Sequence, residues 1–244
     1  MSIFNDLVIE SFLKAEFRLE NNFIKGTLLD LGCGRQPYRV IYNGLFKTAV
    51  AADFNVRSSI NVQLDAHLLP FSNNSFDVIL FSEVVEHVHH SNLVLIELAR
   101  IMKPGGLLLL TWPFMYPLHE LPHDFCRYTE QGMNQLIEES GLRIEKLVRR
   151  GDLIALLFSV VEEGILNVLE LLSRIPLIGI TIFGPLKKVV HALFMLIWHA
   201  AITFLQRTDR ANPSLIGDTL KGTANHLAIW TLGYCARVRK TSSS

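Results

Sequence analysis

The 244-residue chain has no excess of charge of either sign, because 23 Lys and Arg residues balance 23 Asp and Glu residues. This balance predicts no general basic surface and therefore no nucleic-acid partner. Cysteine is scarce, and Cys33, Cys126 and Cys235 form neither a C-x-x-C pair nor an even-numbered disulfide framework. The first 23 residues lack the apolar segment of a secretory signal. These absences predict a cytoplasmic protein, with the cytoplasmic face of a membrane as the alternative location.

A glycine turn is the most informative feature that is present, and it follows an apolar strand in the run Leu-Asp-Leu-Gly-Cys-Gly at 29–34. Asp53 lies 19 residues after Gly34, close to the spacing of about 20 residues at which an acid meets a ribose hydroxyl. A dinucleotide fingerprint needs a third glycine, and Pro37 occupies that position. Asp30 would repel a pyrophosphate and attract an ammonium group. The pattern therefore favours S-adenosylmethionine, with an NAD-dependent oxidoreductase as the alternative.

Apolar runs alternate with helical patterns along the chain, which predicts an α/β fold with a Rossmann-like, doubly wound sheet. An amphipathic helix is predicted over residues 1–26. The Lys-Pro-Gly-Gly run at 103–106 predicts a turn, and Thr129 is a predicted helix N-cap. The predicted strands are 27–31, 48–53, 60–64, 75–81, 107–112, 142–148 and 227–238.

The segment from 28 to about 147 resembles the class I S-adenosylmethionine-dependent methyltransferases with a type 11 methyltransferase domain. The matching motifs are Leu-Asp-Leu-Gly-Cys-Gly at 29–34, Asp53, Asp-Ala at 65–66, Leu-Pro-Phe at 69–71, Ser-Phe-Asp-Val-Ile at 75–79, Ser-Glu-Val-Val-Glu-His-Val at 82–88 and Met-Lys-Pro-Gly-Gly at 102–106. Their order and spacing follow those of the family. The resemblance implies a seven-stranded sheet whose last strand is antiparallel to the others.

The resemblance also implies a site for S-adenosylmethionine, formed by residues that follow the strands. In that site Asp30 contacts the methionine ammonium, Asp53 accepts from both ribose hydroxyls, and Asp65 accepts from the adenine amino group. The full set of implied cofactor residues is Asp30, Gly32, Cys33, Gly34, Asp53, Phe54, Asp65, Ala66 and Ser82. Without the resemblance, the glycines could form an ordinary turn and Asp53 could be an exposed acid at a strand end.

Two carboxylates and an imidazole follow the fourth predicted strand, at Glu83, Glu86 and His87. We predict that the site holds no metal and that Glu86 and His87 cap a helix and shape the pocket. The alternative is a hard divalent cation bound by all three residues, because ubiquinone-pathway O-methyltransferases use a similar run to hold a metal.

A second polar run, Pro-His-Asp-Phe-Cys-Arg-Tyr-Thr at 122–129, follows the fifth predicted strand. It resembles a run found in some members of the same family. His123 is the predicted general base, oriented by Asp124, and His119 is a second candidate. The alternative is a structural clamp in which Asp124 pairs with Arg127 beside the helix cap.

A long apolar insertion separates the sixth and seventh predicted strands, so that the methyltransferase domain is predicted over 27–150 and 225–240 and the insertion over 151–224. Residues 189–206 contain no Asp, Glu, Lys or Arg, and this length lies at the lower margin of the roughly 17–25 residues of a membrane span. The insertion therefore forms an acceptor lid or homodimer surface, a peripheral membrane contact through 153–206, or a true span.

These observations predict a methyltransferase whose acceptor is small and hydrophobic or lipid-linked, with O-methylation favoured over N- or C-methylation. The apolar insertion is the basis for the hydrophobic acceptor. Two alternatives compete with this prediction: a membrane-associated protein that kept the methyltransferase fold without activity, and the NAD-dependent oxidoreductase.

Overall fold

The structure of the protein is a computed structural model that describes residues 3–19, 26–55, 61–174, 183, 185–194, 196–197, 200 and 231–241. It consists of two compact units, one formed by residues 9–150 and 233–244 and the other by residues 1–8 and 151–232. Several predicted segments lie outside the described residues. They are the end of the N-terminal helix, the first residue of the third strand, the start of the seventh strand and most of the second half of the apolar insertion.

The first unit contains a single seven-stranded sheet with the strand order β3-β2-β1-β4-β5-β7-β6. The strands are β1 (Thr27–Leu31), β2 (Thr48–Asp53), β3 (Val62–Gln63), β4 (Phe76–Ser82), β5 (Met102–Pro113), β6 (Leu142–Arg150) and β7 (Gly233–Lys240). Strands β1 to β5 pair in parallel, whereas β7 is antiparallel to both β5 and β6. The predicted fold class and its antiparallel last strand are confirmed.

The order of the strands reverses between β1 and β4, since the chain builds outward from β1 to β3 and then crosses back to place β4 on the other side of β1. Open α/β sheets bind ligands outside the carboxyl ends of their strands at such a reversal. The glycine turn follows β1 and the run at 83–87 follows β4. Both predicted sites therefore lie at this point of the fold.

The observed strands differ from the predicted ones mainly at their ends. Strands β1 and β2 have the predicted bounds. Strand β7 begins at Gly233, and its predicted start at 227 lies outside the described residues. The turn predicted at 103–106 is wrong, because these residues form a bulge within β5 that shifts its register with β4 by three residues. The left-handed conformation of Gly105 (φ 72°) lets the strand resume after the bulge.

Helices pack on both faces of the sheet because successive strand residues point to opposite sides. On one face, Leu29, Ile79 and Leu108 contribute to a core with the side chains of α3 (Ser91–Ile101) and α4 (Glu130–Glu139). On the other face, Leu28 and Val78 pack with residues 9–17 of α1 and with α2. Helix α1 spans Ile3–Leu19 and α2 spans Arg39–Tyr42.

The second unit contains α5 (Leu153–Ser173) and a further helical segment over 185–194. Asp152 caps α5 by accepting from the backbone N–H of Ala155. Strands β6 and β7 end and begin opposite each other, with Arg150 paired to Gly233, so the segment 151–232 leaves and re-enters the sheet at adjacent positions. In the part of the chain that the structure describes, no helix has both the length and the apolar character required to cross a membrane.

Candidate cofactor and acceptor site

The glycine turn after β1 is joined to the end of β2 by direct hydrogen bonds. The backbone N–H of Gly34 donates to Oδ2 of Asp53 over 2.8 Å, and the N–H of Asn55 donates to Oδ1 over 2.8 Å. The amides of Gly32 and Cys33 donate to the carbonyl of Ala52 at the end of β2. Asp53 is 7% exposed, so its carboxylate is fixed by the turn while each oxygen keeps further capacity to accept.

The two glycines of the turn have different surroundings. A Cβ atom on Gly32 would lie 2.3 Å from a side-chain carbon of Val84, in the turn that follows β4. A Cβ atom on Gly34 would meet no protein atom within 4 Å. Both residues have positive φ angles, 69° and 52°, which favour glycine. Gly32 therefore permits close packing of two turns, whereas Gly34 borders open space in which a ligand can approach the backbone.

Asp30 is buried in β1, 4% exposed, and its Oδ2 accepts from the hydroxyl of Tyr42 in α2 over 2.7 Å. Burial raises the pKa of Asp30 to about 6, although the Tyr42 hydrogen bond lowers it and the nearby Asp53 adds a further increase. Sequence reasoning did not identify Tyr42, because nothing in the pattern of a short helix indicates which side chain reaches back to the strand.

The remaining predicted cofactor residues occupy varied environments at the same edge of the sheet. Phe54 is 68% exposed. Asp65 accepts from both the backbone N–H and the ring of His67, at 2.9 and 2.6 Å, and the backbone bond is the main cause of its lowered pKa. Ala66 is partly buried against the core. Ser82 bonds the hydroxyl of Thr111 on β5 over 2.8 Å.

Glu83 belongs to a buried ion pair that the sequence did not reveal. Its carboxylate lies 3.0 Å from Nη2 of Arg150, which is fully buried at the end of β6 and also donates to the carbonyl of Trp112. The hydroxyl of Thr111 donates to Glu83 over 2.8 Å. Glu83 and Arg150 are 67 residues apart in sequence, and no local pattern marks an arginine at a strand end as buried.

Hydrogen bonds to backbone carbonyls join the turn after β4 to the loop after β5. The carbonyl of Glu86 accepts from the amides of Phe125 and Cys126. The Nδ1 atom of His87 lies 2.7 Å from the carbonyl of His123. These bonds hold the loop that contains His123, the predicted base, against the turn that contains Glu86 and His87, two residues of the alternative metal site.

Asp124 and Arg127 form the clamp that was the alternative interpretation of the polar loop. Both carboxylate oxygens of Asp124 accept from the guanidinium of Arg127, which holds the pKa of Asp124 at about 2. The backbone N–H of His119 also donates to Asp124 over 3.0 Å. His123, the predicted base, has an exposed side chain. The histidine that lies next to the carboxylate of Asp124 is His119 rather than His123.

Three side chains lie close together where the turn and the loop meet, namely those of Glu86, His87 and His119. The Nε2 atoms of His87 and His119 each lie 3.7 Å from Oε1 of Glu86. Glu86 is 1% exposed, and this burial raises its pKa. The carboxylate of Glu86 in turn raises the pKa of His119. The sequence interpretation grouped Glu86 with Glu83 and placed His119 in a separate run, since only the fold shows that the two loops meet.

The sequence matches known proteins over its first half. Residues 29–110 match the family described as "Methyltransferase domain". Over 60 residues the chain is 42% identical to a ubiquinone/menaquinone biosynthesis C-methyltransferase of Pseudoalteromonas translucida, a match that covers 25% of this chain and 24% of that protein. The chain thus spans about a quarter of the length of this curated relative.

The fold of the chain is also similar to those of proteins with solved structures. The chain superposes on the 1,6-didemethyltoxoflavin-N1-methyltransferase of Burkholderia thailandensis, solved with bound S-adenosylhomocysteine, with a TM-score of 0.50 and 13% identity over 59% of this chain and 71% of that one. The cyclase SpnF has a TM-score of 0.55 and 15% identity, with 94% of this chain and 81% of that chain covered.

A glycine turn bonded to an acid at the end of the next strand, on a seven-stranded sheet with an antiparallel β7, defines a Rossmann-like methyltransferase fold. Over residues 29–110 the chain is similar to the class I S-adenosylmethionine-dependent methyltransferases. S-adenosylmethionine is the cofactor of this family, and the match favours it over the alternative of an NAD-dependent oxidoreductase.

Proposed function

We propose that the protein transfers the methyl group of S-adenosylmethionine to a small, hydrophobic or lipid-linked acceptor, with an acceptor hydroxyl favoured. The sulfonium already activates the methyl group, so the protein has mainly to align the acceptor, the methyl carbon and the sulfur. Such alignment can supply about 7–11 kcal/mol of the barrier. The observation that carries the proposal is the 2.8 Å hydrogen bond from Gly34 to Asp53, which organises a carboxylate for a ribose beside an open glycine backbone.

The proposed cofactor contacts follow the geometry of the turn. Asp53 would accept from the ribose hydroxyls, and the backbone of Gly34 would lie along the cofactor. Asp30 would attract the methionine ammonium, and its Tyr42 hydrogen bond supports the orientation of the carboxylate. For an acceptor hydroxyl we propose His123 as the general base, because its imidazole is exposed in a loop that the carbonyl–His87 contact holds in place.

The experiment that tests methyl transfer uses the full chain with isotopically labelled S-adenosylmethionine, against a lipid extract and a polar metabolite fraction in separate reactions. We expect label in the lipid extract and little in the polar fraction. Cofactor binding is measured in parallel by titration calorimetry. Binding without transfer to either fraction would favour the alternative of a fold kept without activity, and absence of binding would overturn the proposal.

The preference for a hydrophobic acceptor is supported by the distribution of side chains on α5. Its buried positions include Ser159 and Glu162, whereas exposed apolar residues recur at helical spacing along another face. The exposed stripe consists of Ile154, Leu157, Val161, Ile165 and Val168. Helix α5 thus buries Ser159 and Glu162 together with Ala155 and Leu169 and leaves an apolar stripe exposed. An exposed apolar patch of this kind marks a surface for a hydrophobic partner.

We propose that this stripe contacts a lipid surface or a lipid-linked acceptor, with a homodimer interface as the competing arrangement. Liposome flotation compares the wild type with a Leu157→Ser, Val161→Ser, Ile165→Ser variant. Asn167→Ser, on an exposed polar position of the same helix, is the matched control. Flotation lost only in the triple variant supports lipid contact. A wild type that never floats but has a dimeric mass, which the triple variant loses, supports the homodimer.

A further inference from the structure

Among the described residues, the buried carboxylate of Glu86 has no hydrogen-bond donor. Glu86 is 1% exposed, and neither of its carboxylate oxygens has a hydrogen-bond partner among the described residues. An ionised carboxylate that is removed from water without a compensating charge is strongly disfavoured. The surroundings of Glu86 therefore indicate what kind of positive charge completes the site.

The Nε2 atoms of two histidines, His87 and His119, face the carboxylate of Glu86, and each can offer a lone pair. The Nδ1 atom of His87 lies 2.7 Å from the carbonyl of His123, and that of His119 lies 3.2 Å from the carbonyl of Pro117. Because a carbonyl can only accept, each Nδ1 carries the proton, and in the neutral imidazole Nε2 then keeps a lone pair that a cation can bind. Both Nε2 atoms lie 3.7 Å from Oε1 of Glu86, so three lone-pair donors converge.

We propose that Glu86, His87 and His119 bind a divalent transition-metal cation of the zinc type. Their ligand atoms all lie within 4.8 Å of one another. Neighbouring ligands of a tetrahedral ion with bonds of about 2.1 Å are about 3.4 Å apart. Each imidazole would therefore move about 0.3 Å closer to Oε1 of Glu86, and the two imidazoles would approach each other by up to about 1.4 Å. The carbonyl bonds at the opposite ring nitrogens are the contacts that commonly orient metal-bound histidines.

The ligand types select the metal. Two imidazoles with one carboxylate suit Zn²⁺ and its neighbours in the first transition row, whereas Mg²⁺ prefers an all-oxygen shell. Glu83, which the sequence grouped with Glu86 and His87, is paired with Arg150 and is not part of this set. Three protein ligands leave a coordination position open. On the basis of the proposed function, an acceptor hydroxyl would occupy that position, where a cation lowers its pKa.

The test uses the full chain after treatment with a chelator, titrated with Zn²⁺ by calorimetry and with Co²⁺ by visible absorption. We expect one equivalent of either cation per chain and much weaker binding of Mg²⁺. His119→Ala should weaken Zn²⁺ binding at least about tenfold. His123→Ala is the matched control, since it removes an exposed imidazole from the same loop but keeps the backbone carbonyl that bonds His87. It should bind Zn²⁺ as the wild type does.

Three results would overturn the inference: no Zn²⁺ binding by the wild type, equal loss of binding in His119→Ala and His123→Ala, or Mg²⁺ binding as tight as that of Zn²⁺. Circular dichroism verifies that each variant is folded, and Glu86→Gln provides a second variant of the site. S-adenosylmethionine is titrated into the same samples. Cofactor binding without Zn²⁺ binding rejects the metal site alone, whereas Zn²⁺ binding without cofactor binding rejects the proposed function alone.

Discussion

Replacement of Asp53 is the most direct test of how the cofactor is held. Each oxygen of its carboxylate accepts one backbone N–H at 2.8 Å. A carboxylate has about four lone-pair positions, so about two remain for the two ribose hydroxyls. A hydrogen bond to a charged acceptor contributes about 1.5–3 kcal/mol. The loss of two such bonds in Asp53→Ala should therefore cost about 3–6 kcal/mol of S-adenosylmethionine binding.

This cost corresponds to a rise in Kd of about 100-fold or more, since about 1.4 kcal/mol changes an affinity tenfold. Asp53→Asn keeps the size of the side chain but replaces one acceptor with a donor, so we expect a rise of about 10- to 100-fold. Calorimetric titration with S-adenosylmethionine measures both variants.

Asp77→Asn is the matched control for these variants. Asp77 lies near the amino end of β4, where it accepts from the backbone N–H of Thr27 and from Lys103. Its replacement should lower stability but leave the cofactor Kd within about threefold, because ligands bind at the opposite ends of the strands. A folded Asp53→Ala that binds as the wild type does, or an equal loss of affinity in Asp77→Asn, would refute the reasoning.

Three further variants test other parts of the site. Gly34→Ala should weaken S-adenosylmethionine binding in calorimetry but cost only about 1–2 kcal/mol of stability, since its methyl group meets no protein atom; Gly32→Ala should destabilise the protein more, and the reverse order would contradict this. Glu83→Gln should lower the free energy of unfolding in urea by about 3–5 kcal/mol, because it removes the charge partner of buried Arg150; a change near zero would argue against a buried pair. The pKa of Asp30 is raised to about 6 from an unfolded value of about 3.9, so the folded state binds more protons between these values and stability falls as pH rises through this window. In urea titrations at pH 4.5 and 6.5, Asp30→Asn should lose this part of the pH dependence, and an unchanged profile would contradict it.

The alternation of apolar runs with glycine-rich turns predicts this sheet well, because a parallel strand is buried on both faces and is therefore apolar along its whole length. Strands β1 and β2 have the predicted bounds for this reason. The bulge in β5 was predicted as a turn, since Pro-Gly-Gly is typical of both. Only the pairing of β5 with β4 separates the two, and pairing depends on residues distant in sequence.

The candidate site was predictable where a single turn carries the chemistry and less so where two loops meet. The link between Gly34 and Asp53 follows from their spacing. The contact between Glu86 and His119 does not, because the residues come from different loops, which meet only through the pairing of β4 with β5 and the hydrogen bonds between the loops. Arg150 is the clearest case in which nothing in the sequence indicates burial, because an arginine is expected at the surface, whereas Arg150 is fully buried.

The pairing of Arg150 with Gly233 has a consequence for how this chain can change over evolutionary time. The two residues occupy the positions that would flank a tight hairpin turn, so segment 151–232 replaces a turn without altering the strands on either side. The entropy of closing a loop grows by only about 0.6 kcal/mol for each doubling of its length. Segments of very different size can therefore be exchanged at this junction while the seven-stranded sheet stays the same.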